Sequence, residues 1–228
     1  MQTTGFVATA IFAALVAAPA VAVTYDAAAD FTTQQGHGGF TYGSYDTATG
    51  MFTAFDSNTN CVISSVVCLR STSVNLPSAF MGDGSATQSG TVILTPGKLI
   101  VHPGQGTQSV YVRWTASAPG GYIFNAEFNQ QDSNSAANSV GITGLYGSHF
   151  IVDQAHPDVL VASGFAIFSA GESLTFIIDK NGDYSYDSTG VSFDVTSVPE
   201  PASWALMMTG FAIAGTALRR RGTATVAA

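Results

Sequence analysis

The chain has 228 residues, enough for one domain of ordinary size with short terminal segments. Its net charge is −8, and the segment from Val23 to Glu200, with all fifteen acidic residues and four of the seven basic ones, carries −11, which argues against nucleic acid as a partner. Only 10% of the residues are charged and 24 are glycine, a composition that favours an all-β domain over a helical one.

Residues 1–22 are predicted to be a signal peptide. An apolar stretch from Ala8 to Ala18 precedes Ala20-Val21-Ala22, small residues at the spacing that a signal peptidase requires, so cleavage is expected after Ala22. No lysine or arginine precedes the stretch, and a buried N-terminal helix is the alternative. The signal predicts an exported protein.

Residues 23–197 are predicted to form a jelly-roll-like β-sandwich. Short alternating runs separated by turn residues are typical of such a domain. The runs at 109–117 and 121–129 predict a hairpin across the turn from Ala118 to Gly121. Trp114 is expected in the core, and a platform for a ligand is the alternative for this residue. The predicted strands are 38–46, 51–57, 91–95, 109–117, 121–129, 139–147, 148–154, 164–170, 173–180 and 191–197.

Cys61 and Cys68 are the only cysteines, in the sequence CVISSVVC. In an exported chain such a pair predicts a disulfide, worth about 2–3 kcal/mol if unstrained. A redox motif or a zinc site is the alternative, but the spacing fits neither and no further Cys or His ligands lie nearby in the sequence.

The segment DKNGDYSYD, residues 179–187, is the best candidate for a binding site. Asp179, Asn181 and Asp183 occupy positions 1, 3 and 5 of a calcium-type loop, with Asp187 as a further oxygen ligand. The pattern lacks the glycine and the glutamate of an EF-hand loop, so a β-turn through Asn181-Gly182 at the end of a hairpin is the preferred interpretation. No cofactor other than Ca²⁺ is suggested.

Tyrosines at alternate positions offer rings on which sugars stack. Tyr184 and Tyr186 in this segment are the candidate ligand residues, and ordinary strand residues are the alternative.

Nothing in the sequence marks a catalytic centre. The four histidines are scattered without a metal-binding spacing, no GxSxG motif is present, and no pair of carboxylates stands out. The chain is therefore predicted not to be an enzyme, with a secreted hydrolase acting on glycans as an alternative.

The C-terminal segment begins with Pro199-Glu200-Pro201 and ends in three arginines. Residues 202–218 are apolar and uncharged, long enough to approach the thickness of a bilayer, and predict a transmembrane helix followed by a cytoplasmic tail at 222–228. A hydrophobic core helix is the alternative for the apolar stretch, and a plain linker before a membrane anchor is the alternative for Pro-Glu-Pro. The remaining notable residues of this segment are Trp204, Ala205, Gly210, Arg219, Arg220 and Arg221.

Residues 198–221 resemble the PEP-CTERM sorting signal in its PEPxxWA form. The tripeptide, Trp204-Ala205, the apolar span and the arginines follow in the order of that signal. The resemblance implies an exosortase-like membrane protease as partner. It also implies a precursor held at the inner membrane and then released or attached at the cell surface.

The body is loosely similar to jelly-roll domains of exported bacterial proteins that carry this tail, in VHPG (101–104), VRWTASAPGGY (112–122) and DYSYDSTG (183–190). Galactose-binding-like carbohydrate modules share that architecture. The expected role is structural or adhesive within extracellular polysaccharide, and the first alternative is a carbohydrate-binding module.

Overall fold

The structure is a computed structural model, and it describes residues 21–61, 63–72, 77–134, 138–143, 149–152, 160–180, 182, 184–199, 208–216 and 219. For residues 138–143, 149–152 and 160 only the backbone is described. Contacts group Ala22–Val198 into one compact unit, which compares with the predicted domain 23–197.

The described chain confirms the predicted all-β fold as a sandwich of two antiparallel sheets. The strands of sheet A are β1 (Thr24–Asp26), β4 (Val66–Arg70), β5 (Ser78–Gly82), β8 (Leu99–His102), β10 (Gly120–Gln130), β13 (Leu160–Phe168) and β15 (Thr189–Val198). Those of sheet B are β2 (Phe40–Asp46), β3 (Met51–Ala54), β9 (Gln108–Thr115), β11 (Asn138–Thr143), β12 (His149–Val152) and β14 (Ser173–Asp179). Sheet A has the order β13-β10-β15-β8-β5-β4, with β1 also paired to β15, and sheet B has the order β12-β11-β14-β9-β2-β3. A short ribbon pairs β6 (Gln88–Ser89) with β7 (Val92–Ile93), and a 3₁₀ turn spans His37–Gly39.

From β8 onward the chain repeatedly crosses between the sheets, as in jelly-roll sandwiches. The predicted hairpin of residues 109–117 with 121–129 is therefore wrong: β9 pairs with β2 and β14, whereas β10 pairs with β13 and β15. The turn at residues 116–119 joins the two sheets. Alternation alone gives the same sequence pattern for a hairpin and for a crossover, because both strands bury one face in the same core.

The same crossing corrects the interpretation of residues 180–188. This segment connects β14 of sheet B to β15 of sheet A, so it is not the end of a hairpin. It therefore lies at a rim of the sandwich, where loops are exposed to ligands.

The core between the sheets consists of the alternate, inward-facing residues. Trp114 is 1% exposed, as predicted, and its ring contacts those of Tyr25, Tyr122 and Phe168. Phe176 and Phe193 meet across the sandwich with ring centroids 4.7 Å apart. Such tilted and edge-on aromatic pairs add to the hydrophobic burial that holds the sheets together.

Five strands were missed by the sequence prediction: β1, β4, β5, β6 and β8. In VVCLR, SAFMG and LIVH, which form β4, β5 and β8, apolar residues face both sides. A strand that is covered on both faces loses its two-residue alternation, so the pattern gives no clear signal.

Residues 208–216 and 219 are helical. Within the described part of the chain, no helix has the length and apolar character needed to cross a membrane. The transmembrane helix predicted for 202–218 stays a prediction, since residues 202–207, 217 and 218 lie outside the described set.

Candidate functional site

The outer face of sheet A carries a second apolar layer over β4, β5 and β8. Its buried members include Phe80 and Ile100 from the sheet and Leu94 from the chain that follows the β6–β7 ribbon. Cys61 and Cys68 form the predicted disulfide, with 1.98 Å between the sulfur atoms and 5.9 Å between the Cα atoms. The bridge fastens the segment before β4 to this face, which explains why the strands below are apolar on both sides.

A cavity of about 280 Å³ lies in this second layer. The disulfide, Ile63, Val66, Phe80 and Val92 form its apolar wall. Its polar wall consists of Ser78, Thr91, His102, Asp132 and Ser185, and the two candidate tyrosines, Tyr184 and Tyr186, also line it. A concave site with an apolar surface and a few fixed polar groups is the usual form of a small-molecule site.

Asp132 organises the polar wall. Its carboxylate accepts a hydrogen bond of 2.7 Å from the Thr91 hydroxyl and another of 2.7 Å from the Ser188 backbone amide. Asp132 is itself buried. One carboxylate therefore ties the end of the β6–β7 ribbon to the segment that carries the tyrosines.

The tyrosine segment is fixed by further contacts with the end of β10. The Gln130 side-chain amide donates to the Tyr186 carbonyl at 2.6 Å, and the Gln131 backbone amide donates to the Ser188 carbonyl at 2.8 Å. Tyr186 has φ of 68° and its side chain is 43% exposed. A left-handed backbone at a bulky residue costs of the order of 1–3 kcal/mol and persists only where neighbouring contacts impose it.

Three non-glycine residues of the described chain have a left-handed backbone, and all three lie in segments that border the cavity. Asn60 precedes Cys61, Ser65 precedes Val66, and Tyr186 lines the cavity directly. Strained residues cluster at binding and catalytic sites more than elsewhere. This clustering makes the cavity the candidate site among the described residues.

His102 is a neutral member of the polar wall. Burial lowers the pKa of its imidazole below the ordinary value of 6.5, and the smaller opposing effects of the Pro103 carbonyl and of Asp132 do not reverse the shift. Its Nδ1 lies 2.7 Å from the Pro103 carbonyl oxygen. Because a carbonyl only accepts, Nδ1 carries the proton and Nε2 is left as an acceptor.

Ser78, His102 and Asp132 share this cavity, and Ser78 lies directly opposite His102 across β5 and β8. In a nucleophile triad the carboxylate accepts the Nδ1 proton of the histidine. Here the Pro103 carbonyl accepts the hydrogen bond from Nδ1, and the carboxylate of Asp132 accepts from Thr91 and Ser188. These hydrogen bonds differ from those of a catalytic triad.

The candidate calcium ligands are only partly described. Asp179 ends β14 and accepts the Lys180 amide at 2.6 Å, while Asp187 is fully buried just before β15. Asn181 and Asp183 lie outside the described residues. No cluster of three or more His, Cys, Asp or Glu suited to a metal occurs in the described part, so calcium binding stays a prediction.

Sequence analysis identified Tyr184 and Tyr186 but missed the residues that complete the cavity. Ser78, His102 and Asp132 come from three separate parts of the chain, and no spacing in the sequence connects them. The available signal was the polar pair Asp132 and Ser133, which begins two residues after the end of the alternating strand β10.

At the C-terminal end of the sandwich, Pro199 follows β15 directly. Farther along the chain, Gly210 and Arg219 are helical. The remaining residues proposed for sorting, Glu200, Pro201, Trp204, Ala205, Arg220 and Arg221, lie outside the described set, as does Ala20, whereas Ala22 is exposed. Residues 197–221 match the family model of the PEP-CTERM protein-sorting motif. The chain carries a PEP-CTERM sorting motif. This finding confirms the resemblance of residues 198–221 to the sorting signal. The match does not extend to the rest of the sandwich, whose function is argued below from the cavity.

Solved structures with similarity to this chain include glycoside hydrolases and carbohydrate-binding modules. An arabinose-bound GH51 α-L-arabinofuranosidase has 11% identity and a TM-score of 0.33, over 60% of this chain and 24% of its own length. The CBM6cm-2 module of Cellvibrio mixtus lichenase 5A, in complex with cellotriose, has 9% identity and a TM-score of 0.25, over 68% and 96%. A family 35 module from Clostridium thermocellum has 10% identity and a TM-score of 0.26, over 68% and 96%. Among curated proteins, none matches.

Proposed function

We propose that the protein is an exported substrate of an exosortase-like protease and that its sandwich binds a saccharide without catalysis in the cavity beside Tyr186. Binding of this kind supplies the adhesive role expected in extracellular polysaccharide. The observation that carries the proposal is Tyr186, whose strained backbone is held by Gln130 while its ring borders the cavity.

The chemistry of the cavity suits a sugar. A pyranose ring has apolar C–H faces, which pack on aromatic and aliphatic side chains, and hydroxyl groups that need both donors and acceptors. Tyr184, Tyr186 and Phe80 provide the apolar contacts. The acceptor at His102 Nε2 and the hydroxyl groups of Ser78 and Ser185 provide polar partners.

The charge of the site favours a neutral saccharide over an acidic one. No lysine or arginine is found among the described residues that line the cavity, and Asp132 contributes a carboxylate. The surrounding body carries −11. A uronate or sulfate group would enter this cavity without a cationic partner, and burial of an unpaired charge is costly.

A hydrolytic role has less support. It requires a nucleophile and a base, or two carboxylates, that act on one bond. His102 and Asp132 are each engaged with other groups, and their hydrogen bonds fix the wall instead of activating Ser78.

Electrophoresis of the purified protein through native gels that contain neutral or acidic polysaccharides tests this proposal. The wild type should be retarded by a neutral polysaccharide, and Tyr186→Ala should weaken binding about tenfold, or about 1.4 kcal/mol. Phe52→Ala is the matched control, because Phe52 is 38% exposed on the other sheet, away from the cavity. Equal retardation of the wild type and Tyr186→Ala, or no retardation by any polysaccharide, would contradict the proposal.

A further inference from the structure

Sheet A exposes large apolar side chains at one end of its outer face. We define this patch, the apolar end, as Ile123 on β10, Phe165 and Ile167 on β13, and Val198 on β15; all four are exposed, and Ile167 is 75% exposed. Contiguous apolar patches on a soluble domain mark sites of contact with another apolar surface.

Strand register makes the apolar end continuous. Ile123 lies opposite Phe165, and Gly121 lies between Ile167 on one side and Val198 on the other. A Cβ atom on Gly121 would lie 2.9 Å from Cε2 of Phe165, so the phenyl ring covers the glycine. The four side chains therefore form one patch across three neighbouring strands.

Polarity reverses further along the same strands and the same face. Asn125 donates to the Asp194 carboxylate at 3.0 Å, and Lys98 Nζ lies 3.7 Å from Glu127. Val161, opposite Glu127, is the large apolar side chain exposed at this charged end. One face of the sheet thus changes from apolar to charged along its length.

The apolar end lies where the chain passes from the sandwich into the sorting motif. Val198 is the last residue of β15 and belongs to the matched motif, residues 197–221. Exposed Val23 lies at the same end, since its backbone amide donates to the Ser197 hydroxyl at 2.8 Å. The start of the predicted mature chain and the start of the tail therefore meet beside the patch.

We propose that the apolar end lies against the surface of the lipid bilayer while the sorting tail is attached. The tail would bring this end to the membrane, and phenylalanine, isoleucine and valine gain free energy when they enter the boundary between headgroups and acyl chains. The charged end, farther along the strands, stays in water. Pairing of two copies through the patch would bring two bodies of −11 together, which like-charge repulsion opposes.

Depth-dependent fluorescence quenching tests the contact in the full-length protein. Ile167→Trp places an indole at the apolar end, and Val161→Trp is the matched control on the same strand at the charged end, where Val161 is 62% exposed. Each variant is reconstituted into phosphatidylcholine vesicles with brominated or ordinary chains. Subtraction of the wild-type signal removes the emission of Trp114 and Trp204.

The proposal predicts that the added emission of Ile167→Trp is mostly lost in brominated vesicles, because the indole lies about 5–10 Å into the interface. The added emission of Val161→Trp should be unchanged. The proposal is overturned if neither variant is quenched, or if both are quenched alike. It is also overturned if Ile167→Trp is shielded without lipid in a protein that sediments as a dimer.

Discussion

Tyr186 is exposed, has a left-handed backbone and lines the cavity, and its conformation is imposed by the hydrogen bond from Gln130. Glycine adopts this φ freely, so the left-handed backbone does not by itself require a tyrosine at this position. In the proposed site, the ring is the part of Tyr186 that would contact a molecule in the cavity.

Replacement of Tyr186 by glycine separates the backbone from the ring. Tyr186→Gly should be more stable than Tyr186→Ala by about 1 kcal/mol, because glycine relieves the strain at a φ of 68°. Both variants should bind saccharide about tenfold more weakly than the wild type. Denaturant unfolding and titration of the three proteins provide the measurements, and wild-type affinity in Tyr186→Gly would show that the ring has no role.

His102 makes stability depend on pH in a defined direction. Burial holds the pKa of the folded imidazole below 6.5, so the unfolded chain takes up a proton first as the pH falls. The stability that comes from neutral His102 is present above pH 6.5 and is lost below it, by at most about 1.4 kcal/mol per pH unit.

His102→Gln should remove this contribution while it keeps a donor near the Pro103 carbonyl. Unfolding free energies measured by denaturant between about pH 7 and pH 5 should fall less steeply in the variant than in the wild type. The interpretation would be refuted by identical slopes, and His37→Gln, at an exposed site, controls for a general histidine effect.

At the scale of elements, two loops from distant parts of the chain form one wall. The first is the segment from Cys61 to Val66, which we call the disulfide segment, and the second is the segment from Tyr184 to Ser188. Both lie over the outer face of sheet A. Asp132 connects the second segment to the β6–β7 ribbon through Thr91 and Ser188. Besides the bridge, the first loop is held by hydrogen bonds from the Asp83 amide to the Ser65 carbonyl and from the Arg70 guanidinium to the Asn60 carbonyl. Cys61 and Cys68 themselves line the cavity, so loss of the bridge alters one of its sides.

Loss of the disulfide should affect binding as well as stability. The double variant Cys61→Ser with Cys68→Ser should lose about 2–3 kcal/mol of unfolding free energy, because the unfolded chain gains the entropy of an open loop. Saccharide affinity should also fall under conditions where the variant is still folded. Ser64→Ala, an exposed change in the same segment, is the control. An affinity equal to that of the wild type would mean that the loop does not contribute to the site.

Strand prediction from sequence succeeded for β9, β10 and β15, and it failed for β4, β5 and β8, which are apolar on both faces. The alternation in β9, β10 and β15 marked these strands and placed Trp114 in the core. It did not reveal β4, β5 and β8, whose outer face is covered by the disulfide segment and the ribbon. Pairing also escaped prediction, because β9 and β10 bury similar faces in different sheets.

For the site, the sequence indicated the tyrosines and the cysteines separately. The cavity that brings Tyr186 next to the Cys61–Cys68 bridge depends on the crossover between β14 and β15, which no local pattern encodes. The disulfide itself was predictable, because an exported chain with two cysteines has one possible pairing.

At the scale of the whole molecule, an acidic sandwich is joined to a PEP-CTERM motif at Val198. The prolines at 199 and 201 lack backbone N–H donors and disfavour a helical conformation at the residues before them, which would suit the proposed entry into a protease cleft. Processing at this point would release the sandwich with its cavity intact, because the cavity is formed entirely within residues 61–186.

Replacement of both prolines tests processing. Intact mass and cell fractionation in the native host should show the wild type without its C-terminal arginines, whereas Pro199→Ala with Pro201→Ala should keep them and remain with the membrane. Pro119→Ala, in the turn between β9 and β10, should be processed normally. Arg219–Arg221 retained in all three proteins would show that the tail is not a processed signal.

Hydrogen exchange with mass spectrometry, in the presence and absence of a neutral oligosaccharide that the protein retains, tests the central claim most directly. The account predicts slower exchange in residues 61–68 and 184–188 and little change in β2 and β3, on the opposite sheet. Slower exchange around Phe52 and Arg113 on sheet B, with none at the cavity, would contradict it.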